Sequence, residues 1–380
     1  MLVLHDEATL RHKTVEILGA KFINALECPE RIANILQAVK ENGQHKVLTF
    51  DAAQQIADDG IITDSLLSKM ISDSHDAAYL THLRTIHKEW VVLGNIKEDE
   101  SVIPECFPVS GLIGKGGNLS VPQDSFARPG YFSFDLSAGV CKDTWLSACA
   151  SANLAVEAAR SVVSSKGDEK RVEGQTNGTC KNVLALCRPP GHHCTTRLAG
   201  GYCYINNAVV AVHALRHFGV KSDMAILDLD FHHGNGTQDY FYGDVSVLYV
   251  SLHGDGEYPY YSGSTSEIGE GSGTGFNVNL PLPVCSSITT YLDTLKVAIE
   301  RLETYAPEYL IVSLGFDTFH LDPLGSFDLH TEHYEEIASA IRQAEGLRNV
   351  SSVILLEGGY VLDDLGPNIL SFLRGWDSSS

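Results

Sequence analysis

Basic residues are scarce in this 380-residue chain: 27 Lys and Arg stand against 48 Asp and Glu, a formal net charge of −21 at pH 7. A nucleic-acid binder needs a cationic patch to meet phosphates, so the composition argues against that class. An acidic surface is compatible with cationic substrates, and equally with solubility alone. Long apolar runs are missing too. No stretch reaches the roughly 20 residues needed to span a bilayer, and no membrane partner is expected. Cys-x-x-Cys pairs are absent: the nine cysteines, at 28, 106, 141, 149, 180, 187, 194, 203 and 285, are scattered and odd in number, unlike a disulfide scaffold. Reduced thiols suit a reducing compartment. The opening residues, Met1 to Glu7, turn acidic at once and carry no apolar signal-peptide core. The expectation is a soluble, cytoplasmic protein.

What is present suits a large core: 44% hydrophobic and 20% charged residues. Residues 1–5 read as a strand, and Ile32, Ile35, Leu36 and Val39 recur at helical spacing through 29–42. Residues 62–95 read as helix with a polar centre around Ser74-His75-Asp76. Residues 98–140, rich in Gly, Pro and Ser, form a long loop, a feature usually tied to function or interaction. An Ala-rich helix over 143–163, with Asp143 as N-cap, precedes a polar surface insertion at about 164–180. Beyond it, strands at 183–187, 224–228, 245–252, 309–314 and 353–356 alternate with helices at 206–218, 288–304 and 331–344. Alternation of this kind predicts a single α/β domain over 1–380, with a mainly parallel sheet between helical layers.

The pattern centres on Asp228-Leu229-Asp230-Phe231-His232-His233-Gly234-Asn235-Gly236, directly after the apolar run 224–227. Strand alternation predicts that Asp228, Asp230 and His232 share one face, at the carboxyl edge where α/β sheets bind ligands. Three other strands end in comparable clusters: Arg188-Pro189-Pro190-Gly191-His192-His193, Gly315-Phe316-Asp317-Thr318-Phe319 and Glu357-Gly358-Gly359-Tyr360. In a parallel sheet all four share an edge. Asp230, His232 and Asp317 would make a three-ligand site with an open position, as catalytic zinc sites have. Fe²⁺ or Co²⁺ suits the same donors. A His beside two Asp also occurs as a hydrogen-bonded core cluster, since buried polar groups need partners with or without a metal. His192 and His193 suggest acid–base work on water activated by that ion. Tyr360 offers a hydroxyl to a developing oxyanion.

With CRPPGHH (187–193), GGYCYINNA (200–208), ILDLDFHHGNGTQDYFY (226–242) and VSLGFDTFHLDP (312–323) in hand, the chain resembles the arginase-like zinc deacetylases, the histone deacetylase superfamily. Within it the likeness is to acetylpolyamine amidohydrolases, carried also by LRHKTVEILGAKF (10–22) and GYFSFDLSAGVCKDTW (130–145). The resemblance implies the arginase/deacetylase fold, zinc on Asp230, His232 and Asp317, and His193 as general base and acid with His192 as its electrostatic partner. It implies Asp228 and Asn235 as hydrogen-bond partners of His192 and His193, and Tyr360 as oxyanion stabiliser. It further implies a potassium site at Asp228, Ser251 and Leu252, with the backbones of Asp230 and His232. Substrate walls at Tyr202, Gly201, Tyr261 and Leu324, and a homodimer closed by the 98–140 loop, follow from the same likeness.

Leu324 stands where polyamine-selective relatives in the histone deacetylase branch place a Glu, and His320 replaces an acidic residue. Glu105 and Asp124 in the long loop are other sources of negative charge. The expected activity is therefore zinc-dependent hydrolysis of acetylated polyamines or related small alkyl amines, with release of acetate. The alternatives are an acetyl-lysine deacetylase acting on proteins and, more remotely, a non-catalytic, metal-stabilised binding protein.

Overall fold

Apolar residues in the strands sort alternately into two opposing cores, and this alternation sets the architecture. In the computed structural model, which describes residues 1–110, 112–113, 119–163 and 180–378, eight strands form one sheet: β1 (Leu2–Asp6), β4 (Lys46–Phe50), β5 (Asn182–Ala185), β6 (Met224–Asp228), β7 (Val247–Gly254), β8 (Asn277–Leu282), β9 (Tyr309–Leu314) and β10 (Ser351–Leu356). A separate antiparallel hairpin joins β2 (Val15–Leu18) to β3 (Lys21–Asn24). The sheet order is β4-β1-β5-β10-β9-β6-β7-β8, and every neighbouring pair is parallel. Leu2, Leu4, Val183, Ala185, Met224, Ile226, Val353 and Leu355 enter one core. Val3, Leu184, Ala225, Leu227, Ile354 and Leu356 enter the other.

Helices cover both faces. One carries α1 (Pro29–Asn42), and the other carries α2 (Ser65–Ser74), α3 (Ala77–Val92) and, past the short α4 (Arg128–Tyr131), α5 (Thr144–Val163) and α6 (Asn207–His217). After α7 (Asn235–Phe241), the helices α8 (Ile288–Tyr305), α9 (Thr331–Gln343) and α10 (Leu362–Asp377) pack on the same core as α1. Helix α1 starts with Pro29 at its first turn and stops at Gly43, whose left-handed conformation (φ 69°) closes the end. Helix α5 is dense in Ala and Ser and buries most of its circumference, so it lies close to the sheet and to α6. The fold is the expected single α/β domain.

The predicted helix over 62–95 is two helices. Asp76 caps the second through the Ala78 and Tyr79 amides, and the chain turns at His75. The hairpin, β4, β8, α7 and α10 were not anticipated. The insertion expected at 164–180 lies, apart from Cys180, outside the described residues, whereas the long loop is mostly irregular around α4.

His75 joins that turn to the segment after the paired histidines. Its Nδ1 faces the Thr195 carbonyl at 3.1 Å and its Nε2 accepts the Asn206 amide at 3.0 Å. One nitrogen donates and the other accepts, so the ring is neutral. Burial pushes its pKa down to about 4, while the unfolded chain binds that proton near the ordinary value of about 6.5. The folded state is therefore undisturbed by this group above that value and loses stability as pH falls toward 4, by about 3 kcal/mol from His75 alone. Urea unfolding at pH 7 and pH 5 checks this: the wild type should lose about 2 kcal/mol more than His75→Gln over the interval.

Candidate active site

Strand β6 stops at Asp228, so Asp230 and His232 lie on the bend beyond it rather than on a continued strand face. Backbone amides do the aiming instead. The Phe231 amide donates to Asp317 Oδ1 at 2.9 Å, the His232 amide to Asp230 Oδ1 at 2.9 Å, and the Gly358 amide to Asp230 Oδ2 at 2.8 Å. Gly358 must be glycine for this approach: a Cβ there would sit 2.2 Å from Asp317 Oδ2. The strand ends of β6, β9 and β10 are thus fastened around two buried carboxylates.

Asp230, His232 and Asp317 each offer a ligand atom, all within 4.8 Å of one another. His232 Nδ1 lies 3.3 Å from Asp230 Oδ1 and 3.0 Å from Asp317 Oδ2, while its Nε2 donates to the Leu324 carbonyl at 3.1 Å. That outer bond fixes the ring and turns Nδ1 inward, the usual arrangement of a ligating histidine. Leu324 therefore reaches the site through its backbone. Burial pushes the Asp317 carboxyl up, and repulsion from Asp230 adds to it. Burial would also raise Asp230, but His192 and His232 outweigh it and hold that group low. Burial opposes the His232 charge, yet its hydrogen bonds to both carboxylates push it up to about 10. Two buried carboxylates held together by a proton on an imidazole are a donor set that fits one divalent cation.

The paired histidines face this cluster, their ring centroids 4.0 Å apart. His192 Nδ1 donates to Asp228 Oδ2 at 3.1 Å, and its Nε2 lies 3.7 Å from Asp230 Oδ1. Burial opposes its charge, but Asp230 and Asp228 push its pKa up to about 10. His193 Nδ1 donates to Asn235 Oδ1 at 2.8 Å, which leaves Nε2 as an acceptor. Burial, then the charge of His192, pushes His193 well below its ordinary value. Adjacent imidazoles are thus driven apart in basicity, one charged and one neutral.

Tyr360 lies under the guanidinium of Arg31, 4.9 Å from the ring centroid, and Arg31 also donates to the Gly359 and Glu357 carbonyls at 2.5 Å each. Burial pushes the Tyr360 hydroxyl well above its ordinary pKa, so it remains a donor. Tyr202 packs edge-on against Tyr360 at 5.8 Å. Gly201, at φ +53°, lies against His193: a Cβ would sit 2.3 Å from its Cδ2. Tyr261 is brought to neither ring. It is 94% exposed, because the 255–263 segment turns Tyr258 inward instead. The Tyr258 ring meets His193 at 5.0 Å and His232 at 5.7 Å. Ser251 and Leu252 are buried in β7, with Ser251 in register with Asp228 and bonded to His253 Nδ1 at 2.9 Å. Asp124 Oδ1 accepts the Phe126 amide at 2.8 Å, and among the described residues neither it nor Glu105 forms an ion pair with these groups.

Sequence reasoning passed over Glu357, which accepts from the Gly191 amide (2.7 Å), the His192 amide (3.3 Å) and Ser313 Oγ (3.0 Å), tying β5, β9 and β10 together. Its neighbour in the Glu-Gly-Gly-Tyr cluster, Tyr360, drew the attention. A cavity of about 660 Å³ opens elsewhere, beside Lys13, Phe22 and Cys28, and touches none of the groups above.

The histone deacetylase domain matches residues 25–375, and the chain belongs to that family. It is 34% identical over 379 residues to acetylpolyamine amidohydrolase 2 of Pseudomonas aeruginosa, covering 99% of this chain and 98% of that one. It is 32% identical to the acetylpolyamine amidohydrolase of Mycoplana ramosa, with 98% of each covered. The crystal structure of an acetylpolyamine aminohydrolase from Burkholderia pseudomallei superposes with a TM-score of 0.82 at 31% identity, covering 100% of this chain and 99% of that chain. A deacetylase of the histone deacetylase family, and so a hydrolase, is the class that fold and relatives define together.

His232 Nδ1 lies between the two carboxylates, so a cation bound at this cluster would displace its proton. Calorimetric titration with Zn²⁺ near pH 8, in two buffers of different ionisation enthalpy, should read about one proton released per ion. Apparent affinity should rise as pH rises toward the His232 pKa. Affinity independent of pH would remove His232 from the ligands.

Proposed function

We propose that the chain hydrolyses the acetyl-amide bond of acetylated polyamines or related small alkyl amines, with a Zn²⁺ ion on Asp230, His232 and Asp317. The observation that carries this reading is a neutral, buried imidazole, His193, beside a convergent two-carboxylate, one-imidazole ligand set. The bound ion would supply Lewis acidity toward the acetyl carbonyl and make water more acidic. Fe²⁺ and Co²⁺ suit the same donors.

The chain's own groups then move the protons. Asn235 holds the Nδ1 proton of His193, so Nε2 takes the proton from the attacking water as its oxygen bonds to the acetyl carbon. Tyr360 donates its hydroxyl to the oxygen on which charge develops. The C–N bond breaks, His193 returns its proton to the leaving nitrogen, and acetate and a free amine depart. His192, tied to Asp228, stands beside His193 with ring centroids 4.0 Å apart and acts as its electrostatic partner. Tyr202, Tyr258 and Gly201 wall the approach to these groups.

A potassium ion at Asp228, Ser251 and Leu252 belongs to the same reading, supported by the register of β6 and β7. So does pairing with a second copy through the long loop, whose exposed Val109, Leu112 and Phe126 are apolar groups that such a contact would cover. No helix among the described residues is long and apolar enough to cross a membrane. Free cysteines suit a reducing compartment, and a cytoplasmic site of action belongs to the same proposal.

His193→Ala and Tyr360→Phe should each lower kcat by at least about 100-fold without changing the far-ultraviolet circular dichroism. Chelation should abolish turnover and Zn²⁺ or Co²⁺ should restore it. Rates on N-acetylputrescine and on an acetyl-lysine peptide decide the substrate class, and a higher kcat/KM on the peptide would replace this reading with the protein deacetylase.

A further inference from the structure

Two tyrosines pack beside the candidate reacting groups, Tyr258 on His193 and Tyr202 on Tyr360, and each gives its hydroxyl proton to a carboxylate. Tyr202 donates to Glu16 Oε2 at 2.7 Å, and Tyr258 donates to Asp135 Oδ2 at 2.5 Å. A phenol has one proton; once that is given away, its oxygen presents only lone pairs. Asp135 does more than receive one hydroxyl. The same Oδ2 accepts the Gly201 amide at 2.9 Å and Ser137 Oγ at 2.8 Å, and Oδ1 accepts the Ser137 amide at 3.0 Å. Tyr258 packs on His193 from one side and Gly201 lies against it from another. One carboxylate therefore grips both segments that frame the reacting centre.

All of these donors are neutral. Among the described residues no Lys or Arg forms an ion pair with Asp135 or Glu16, in contrast with Glu27, which sits between Arg31 and Arg188. A half-buried charge with no counter-ion acts on nearby groups through protein rather than water, so its potential at Tyr258 and Gly201 is only partly screened.

We propose that Asp135 is a specificity-determining residue: its uncompensated carboxylate, one hydrogen bond behind Tyr258 and Gly201, selects amides whose alkyl chain carries a protonated amine. The inference rests on the amidohydrolase reading and names what that reading leaves open, the charge of the substrate's distal end. Asp135 acts through the two wall segments. It turns Tyr258 into an acceptor for ammonium N–H groups and adds a negative potential that a neutral chain does not feel. Leu324 need not be acidic for such selection, because the charge enters from the opposite sequence segment.

The test compares kcat/KM on N-acetylputrescine with that on N-pentylacetamide, which has the same length and no charge. In Asp135→Asn both values should drop, through loosened walls, but the cation-to-neutral ratio should itself fall by about tenfold, the size of a single partly screened charge. Tyr258→Phe keeps the ring and removes the acceptor, so it should lower the same ratio, and it serves if the Asn variant fails to fold. Equal losses on both substrates, or an unchanged ratio, overturn the assignment and leave Asp135 a structural tie. A wild type inactive on both amides sinks the amidohydrolase reading and this inference with it, whereas activity on both with an unmoved ratio sinks the inference alone.

Discussion

Like charges crowded out of water at one edge of the sheet are the constraint from which the rest of this structure follows. Asp228, Asp230, Asp317 and Glu357 are all buried at the carboxyl ends of β6, β9 and β10. Left alone, such a group would neutralise itself or open the fold. Each is answered by different means. Asp230 and Asp317 receive backbone amides and the His232 proton, Asp228 receives His192 and Tyr249, and Glu357 receives two amides and a hydroxyl. Burial still pushes Glu357 up to about 7. The cluster is tolerable without a cation, and its convergent carboxylates and imidazole could hold one.

The same crowding explains why two neighbouring histidines behave differently. His192 sits on the carboxylate side and is held charged; His193 sits on the amide side of Asn235 and is kept neutral by burial and then by its neighbour. The rings are alike in chemistry and differ in the groups around them. A buried Glu27 between Arg31 and Arg188 extends this scheme to the outer shell, since Arg31 steadies the Tyr360 turn and Arg188 holds the Thr9 and His12 carbonyls.

Much of this was legible in the residues because parallel strands that are buried on both faces read as plain apolar runs, and whatever follows them falls at one edge. The convergence of Asp230, His232 and Asp317, and the histidine pair beside them, was legible for that reason. The rule used for Asp228, Asp230 and His232 was not the operative one, since the strand ends before two of the three. Tyr261 was misplaced because Tyr258, Tyr260 and Tyr261 offer three rings within four residues, and only the backbone turn at Tyr260 (φ 70°) decides which points inward. Asp135 lay in an irregular loop with no periodicity to read. Helix α10 was hidden by Gly366, Pro367 and Gly375, breakers that tertiary packing of its Leu365, Ile369, Phe372 and Trp376 face overrides. Edge strand β8 carries Asn and Pro, which lack a strand's usual signature.

The sheet order has a consequence for how the molecule comes into being. The strand that ends in the histidine pair and the strand that ends in Asp317 are not neighbours; β10, which follows both in sequence, stands between them. Glu357 at its end bonds back to the Gly191 and His192 amides, so the histidine pair is held by strands far apart along the chain. Pairings of that range carry a high loop-closure cost and make a slow-folding topology.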